Sequence, residues 1–334
     1  MDLLIVHLAL LLLASPVVLA KSSSTVPAIF TFGDSIFDAG NNHYNKNCTA
    51  QADFPPYGSS FFHRPNGRFT NGRTVADFIS EYVGLPLQKP FLELQYQILN
   101  GTTSKVPSNG INFASAGSGL LFDTNKFMGV TPIQIQLQQF QTLVEQNQID
   151  KSIIQESLFL LETDQVNKTI DQIYKLGARR IALFFLGPVG CVPARAMLPN
   201  APTNKCFGKM NVMAKMYNTR LEDMVNIIPT KYPGVIAVFG AVYGITHRLQ
   251  TFPSRYGFTD VSNACCGNGT LGGLMQCGRE GYKICNNPDE FLFWDFYHPT
   301  ERTYQLMSKA LWNGNKNQIR PFNLMALATN SITF

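Results

Sequence analysis

Short apolar runs alternate with longer stretches of helical periodicity along most of this chain, and few folds accommodate that alternation. The runs span Ala28 to Phe32, Gly110 to Phe113, Ser157 to Leu161, Arg180 to Leu186 and Val235 to Phe239. Their short length and sparse polar alternation are those of parallel strands covered on both faces. Helical patterns lie between them at Thr74 to Val83, Pro132 to Asn147, Asp164 to Leu176 and Lys209 to Ile228. A last helix is expected after His298, with Pro299 near its first turn and Trp312-Asn313-Gly314 as its stop. The expected fold class is therefore α/β, with a mainly parallel five-stranded sheet between two helical layers. In such sheets ligands collect at the carboxyl ends of the strands, where Ser35, Gly117 and the segment after Leu161 all fall.

The chain is large enough for a substantial core, with 334 residues of which 45% are hydrophobic and 15% charged. It contains no Pro/Gly/Ser-rich linker, charge block or internal repeat, so one domain over residues 21–334 is expected. Residues 1–20 read as a signal peptide. Leu3 to Leu13 form its apolar centre, and Val18-Leu19-Ala20 supplies the small-residue cleavage pattern. That run is too short for a spanning helix, so no stable membrane span is expected. Cleavage would remove Asp2, leaving 27 basic residues against 21 acidic ones, a net charge of +6. These charges are scattered rather than clustered, which argues against a nucleic-acid partner.

Behind a signal peptide, Cys48, Cys191, Cys206, Cys265, Cys266, Cys277 and Cys285 read as disulfide material with one cysteine left over. Four of them crowd into residues 265–285, marking a stapled, loop-rich segment whose pairing the sequence leaves open. No C-x-x-C pair stands with a histidine at ligand spacing, so no metal is expected. Glycosylation sequons begin at Asn47, Asn100, Asn167 and Asn268 and agree with a secretory route.

The chemistry centres on two short segments. Gly33-Asp34-Ser35 closes the first apolar run, where the glycine permits a sharp turn that presents a serine hydroxyl at the sheet edge. Asp295-x-x-His298 lies near the other end of the chain. An imidazole can take the serine proton and return it to a leaving group, and a carboxylate three residues earlier can fix its tautomer. Ser35, His298 and Asp295 are thus the expected nucleophile, base and orienting acid. His43, His63 and His247 have no comparable carboxylate and read as surface or packing residues. Ala116-Gly117-Ser118-Gly119 lacks the further glycine and lysine of a phosphate loop; the Gly117 N–H instead suits a developing oxyanion. Most of the 25 phenylalanines are expected in the core, with some lining an acyl pocket.

Phe32-Gly33-Asp34-Ser35-Ile36-Phe37-Asp38-Ala39-Gly40-Asn41-Asn42 resembles the first block of the plant GDSL esterase/lipases, within the SGNH hydrolase superfamily. Four further segments resemble that family's blocks, in its order: Asn66 to Arg73, Asn112 to Gly119, Leu186 to Cys191 and Phe293 to Glu301. The resemblance covers nearly all of residues 21–334. It implies a flavodoxin-like three-layer α/β/α sandwich, an extracellular or vacuolar setting, and cofactor-free hydrolysis of an acyl ester or lipid. By residue, it implies Ser35 as nucleophile and oxyanion donor, Gly117 as second donor, His298 as base and Asp295 as its partner.

Two departures from the family pattern stand out. Ile36 replaces the usual leucine, a volume-conserving exchange. The other is larger: after Leu160-Leu161-Glu162-Thr163 the family continues into Gly-x-Asn-Asp, whose asparagine is the third oxyanion donor. This chain passes directly to Asp164-Gln165-Val166-Asn167, as an in-frame excision would leave it. Kept in register, Val166 takes the asparagine position. Asn167 falls one place later, turned by about 100° on a helix. The expectation is a secreted esterase/lipase weakened by that loss. Acyl transfer to an alcohol, or a non-catalytic chain that binds lipids or partners, are the alternatives.

Overall fold

The computed structural model describes residues 26–119, 123–162 and 166–329. The expected signal peptide and the Thr163/Asp164 junction therefore lie outside the described residues. The strands are β1 (Ile29–Phe32), β2 (Lys89–Pro90), β3 (Gly110–Asn112), β4 (Leu158–Leu161), β5 (Arg180–Phe184), β6 (Ile236–Gly240), β7 (Asp260–Ala264), β8 (Cys266–Gly267), β9 (Lys283–Ile284), β10 (Phe291–Phe293) and β11 (Ile319–Arg320). The α-helices are α1 (Asn41–Tyr44), α2 (Val75–Val83), α3 (Phe91–Leu99), α4 (Ile133–Glu145), α5 (Lys151–Glu156), α6 (Val166–Lys175), α7 (Gly208–Asn226), α8 (Ile228–Lys231), α9 (Val242–Thr251), α10 (Glu301–Asn313) and α11 (Leu324–Thr329).

The main sheet has the order β11-β6-β5-β4-β1-β3-β2, seven strands rather than the five expected. The five anticipated strands are all present, side by side and parallel, and β2 and β11 flank them. Each added strand has two residues, too few to show a period, and β11 alone runs antiparallel. Without these edges the order 3-1-4-5-6 is the flavodoxin pattern, with its switch point at the carboxyl end of β1. The expected helix from Lys209 to Ile228 is instead divided at Ile227, just before Ile228-Pro229 begins α8. Proline lacks an N–H and fits the first turn of a new helix better than the interior of an old one.

Alternation along the strands builds the two helical layers. Phe30, Phe32, Phe159 and Leu161 point to one side and meet Phe140 of α4, Ile170 and Ile173 of α6, and Leu221 of α7. Ile29, Leu158, Leu160 and Ala182 point to the other and meet Phe78 of α2, Ile245 of α9, and Met307 and Leu311 of α10. Burying each such side chain contributes roughly 1.5–3 kcal/mol, so β1 and β4 form a firm base for the residues at their carboxyl ends.

Disulfides join Cys191 to Cys206, Cys265 to Cys285 and Cys266 to Cys277, leaving Cys48 as the buried free thiol. The two bridges within 265–285 secure that segment against the strand leading to Asp295. The N–H groups of Cys265 and Cys266 donate to the carbonyls of Phe293 and Trp294 at 2.9 and 2.7 Å. Among the described residues, no helix is long and apolar enough to cross a membrane.

Candidate active site

Beyond the carboxyl end of β1 lies a cleft of about 490 Å³ that Ser35, Gly117 and His298 all line. The sequence separates Ser35 from His298 by 263 positions, with Gly117 between them; the sheet topology brings all three to one rim. Asp295 lies behind His298, fully buried, and does not line the cleft. Ser35 and His298 both line the cleft and make no direct hydrogen bond with each other.

Gly33 makes the turn into Ser35 with φ of 153°, and a Cβ there would lie 3.0 Å from Glu162 Cβ. Gln136 of α4 clasps this glycine from both sides. Its Oε1 accepts from Gly33 N–H at 3.0 Å, and its Nε2 donates to Gly33 C=O at 2.9 Å. The same Nε2 reaches Ser118 Oγ at 3.3 Å, tying the serine turn to the glycine loop.

Asp38 extends that tie. Its carboxylate accepts from the N–H groups of Gly40, Asn41 and Ala116 at 2.7, 2.6 and 2.9 Å. Burial pushes the Asp38 carboxyl up to about 6, although the backbone donors act in the opposite direction. A folded-state value above the ordinary one favours folding of the protonated form. That contribution is complete below pH 3.8 and is lost as the pH rises through about 6. Asn42 adds a bond from Nδ2 to the Ala116 carbonyl at 2.9 Å. Gly117 follows with φ of 83°, a left-handed conformation that suits glycine, and its carbonyl accepts from Asn125 Nδ2 at 2.9 Å.

The Asp295–His298 segment is a tight turn closed by Trp294 N–H donating to the His298 carbonyl at 2.7 Å. His298 Nδ1 lies 2.9 Å from each Asp295 oxygen, which leaves Nε2 available to the cleft. Asp295 Oδ1 also accepts from the N–H groups of Tyr297 and His298 at 2.8 and 2.7 Å, and Oδ2 accepts from Tyr57 OH at 2.6 Å. Burial alone would raise the Asp295 carboxyl. Attraction to His298 and the bonds from His298 and Tyr57 overcome it and hold the carboxyl below 3.8. The stability this provides is present above pH 3.8 and is lost as the pH falls through the lowered value.

Tyr57→Phe removes a buried hydrogen bond to a charged group, worth about 1.5–3 kcal/mol. The variant is expected to be less stable than the parent by roughly that amount at pH 6, with the difference shrinking at pH 3. Urea unfolding at the two pH values measures it, and an equal difference at both would contradict this account of Asp295.

The block from Asn66 to Arg73 supports the same turn. Thr70 Oγ1 donates to the Pro299 carbonyl at 3.0 Å, Asn71 Oδ1 accepts from Glu301 N–H at 2.8 Å, and Phe69 packs against the His298 ring. Arg68 pairs with Asp77 and donates to the Ala39 carbonyl, joining this block to the one containing Ser35. Of the phenylalanines, Phe69 and Phe296 line the cleft.

Val166, the residue that unbroken register would put at the family's asparagine position, is buried in the core against α4. Asn167 is exposed on α6 and does not line the cleft. Tyr57, Gln136 and Asp38 have supporting roles that the sequence reading did not assign. Gln136 carried a signal, because it interrupts the apolar stripe of Ile133, Leu137 and Phe140. Tyr57 carried none, since its partner lies 238 positions away.

A family model for GDSL-like lipases/acylhydrolases matches residues 29–311. The chain is 84% identical to GDSL esterase/lipase 6 of Arabidopsis thaliana over 361 aligned positions, covering 100% of this chain and 98% of that one. It is 34% identical to GDSL esterase/lipase 7 of Arabidopsis thaliana, covering 90% and 92% of the two chains. It is 32% identical to a GDSL lipase of Tanacetum cinerariifolium, covering 92% and 89%. The chain belongs to the plant GDSL esterase/lipase family, enzymes that hydrolyse carboxylic esters.

Proposed function

We propose that Ser35, His298 and Asp295 act as a triad that hydrolyses acyl esters through an acyl-enzyme, with the N–H groups of Ser35 and Gly117 as oxyanion donors. The observation that carries this reading is the Asp295 carboxylate on His298 Nδ1, with the rest of the imidazole on the cleft that Ser35 also lines. His298 takes the hydroxyl proton as Ser35 Oγ attacks the ester carbonyl. It returns that proton to the departing alcohol, and water then releases the acid by the same route. Ala50, Phe69, Met128 and Phe296 give the cleft an apolar lining suited to an acyl chain, and its volume is that of a small-molecule site.

We propose further that turnover is reduced by loss of the Gly-x-Asn-Asp block. Matching 334 residues to 361 aligned positions of GDSL esterase/lipase 6 leaves 27 positions with no residue in this chain. The buried Val166 and exposed Asn167 supply no substitute donor. Secretion to an extracellular or vacuolar setting, with residues 21–334 working as one unit, is supported by three disulfides and by exposed sequon asparagines at 47, 100 and 167.

A fluorophosphonate probe, which reacts with activated serines, tests the triad. Labelling of Ser35 that disappears in Ser35→Ala is expected. A folded protein that takes no label would favour the alternative reading, an inert chain that binds lipids or partners, for which the absent block is the supporting observation.

A further inference from the structure

We propose that Glu162 is a positioning residue for Ser35, holding the serine turn through a hydrogen-bonded carboxyl pair with Asp34. The inference rests on the reading of Ser35 as nucleophile. Strand register sets the position of Glu162: Phe32 pairs with Leu161, and one residue further on Glu162 N–H donates to the Phe32 carbonyl at 3.1 Å. Glu162 is therefore level with Gly33, and the Cα of that glycine carries no side chain to separate them. The Glu162 carboxyl faces the carboxyl of Asp34.

The residue as a whole is half-buried, but Glu162 Oε2 is closed to solvent and has no partner. Around it lies a small void whose other lining is apolar, including Ile36, Phe37, Phe184, Met307 and Leu311. Among the described residues, the titratable groups that face Glu162 are Asp34, Tyr297 and Tyr304, none of them a cation. Burial and the adjacent Asp34 charge hold the Glu162 carboxyl well above its ordinary range, which favours the protonated form that can donate to Asp34. Asp34 Oδ1 in turn accepts from Ile36 N–H at 2.9 Å, closing the turn around Ser35. Gln136 thus holds the residue two positions before Ser35, and Glu162 holds the one immediately before it. Removing the Glu162 proton would set two carboxylates against each other beneath the nucleophile.

The test compares wild type, Glu162→Gln and Glu162→Leu, following the rate of fluorophosphonate labelling of Ser35 from neutral to alkaline pH. Infrared spectroscopy of each folded protein at pH 7 provides a readout independent of reactivity. Glutamine keeps a donor but cannot ionise, so its labelling should stay within about threefold of wild type and lack the alkaline fall that wild type shows. Leucine removes the donor and should slow labelling by about tenfold or more at every pH, since small misplacements at a reacting centre have effects of this order. A protonated-carboxyl band in wild type that disappears in Glu162→Gln supports the pair. Absence of that band, or a glutamine variant as slow as the leucine variant, overturns the proposal. If the band is present and Ser35 takes no label at any pH, the carboxyl pair stands and the reading of Ser35 as nucleophile fails.

Discussion

His298→Ala is expected to lower ester turnover by roughly four to six orders of magnitude, and to lower stability as well, because it takes the imidazole partner from the buried Asp295 carboxylate. The size of the effect follows from the role. Without the imidazole, Ser35 Oγ has no acceptor for its proton and the departing alcohol has no donor, so both halves of the cycle fail together. Asp295 cannot substitute, because it is fully buried behind the histidine and outside the cleft. Turnover of a p-nitrophenyl ester measures the loss. A variant that retained more than about a hundredth of the parent rate would mean that another group takes the proton, since positioned acid–base groups contribute about 10² to 10⁴.

Inserting a Gly-x-Asn-Asp segment of the family pattern between Thr163 and Asp164 should, if the proposed loss of that block limits the enzyme, raise turnover by about 10² to 10³. One preorganised side-chain donor stabilises the tetrahedral oxyanion by about 2.7–4 kcal/mol, which corresponds to that range. An insertion carrying alanine in place of the asparagine separates the donor from the restored scaffold: it should recover any lost stability but not the rate. Equal rates with and without the asparagine would remove the proposal that a missing oxyanion donor limits turnover.

Much of the fold was legible because the sheet is buried on both faces. Runs such as Leu158 to Leu161 have no exposed side to break their apolar character, and the turn residues that follow mark where they end. The last helix was legible from its punctuation, Pro299 near its start and Gly314 at its end, and the structure adds Thr300 as the N-cap. Lys89–Pro90 and Ile319–Arg320 were not, because strands of two residues exist only through the neighbours they pair with.

The candidate site divides along the same line. Ser35, Asp295 and His298 lie in short, ordered segments whose residue types suggest their chemistry. Tyr57 and Glu162 act through contacts formed only when β1, β4 and the Asp295 turn meet, which no local spacing encodes. The disulfide partners were hidden for the same reason. Cys265 and Cys266 are adjacent in sequence, and only the fold directs one to Cys285 and the other to Cys277.

The most direct test of the triad is to quench the protein during turnover of an activated ester and map the attached acyl group by peptide mass spectrometry. The account predicts one acyl group, on Ser35, that accumulates and then decays as acid is released. Ester hydrolysis that continues in Ser35→Ala at the parent rate, or an acyl group that maps to another residue, would contradict it.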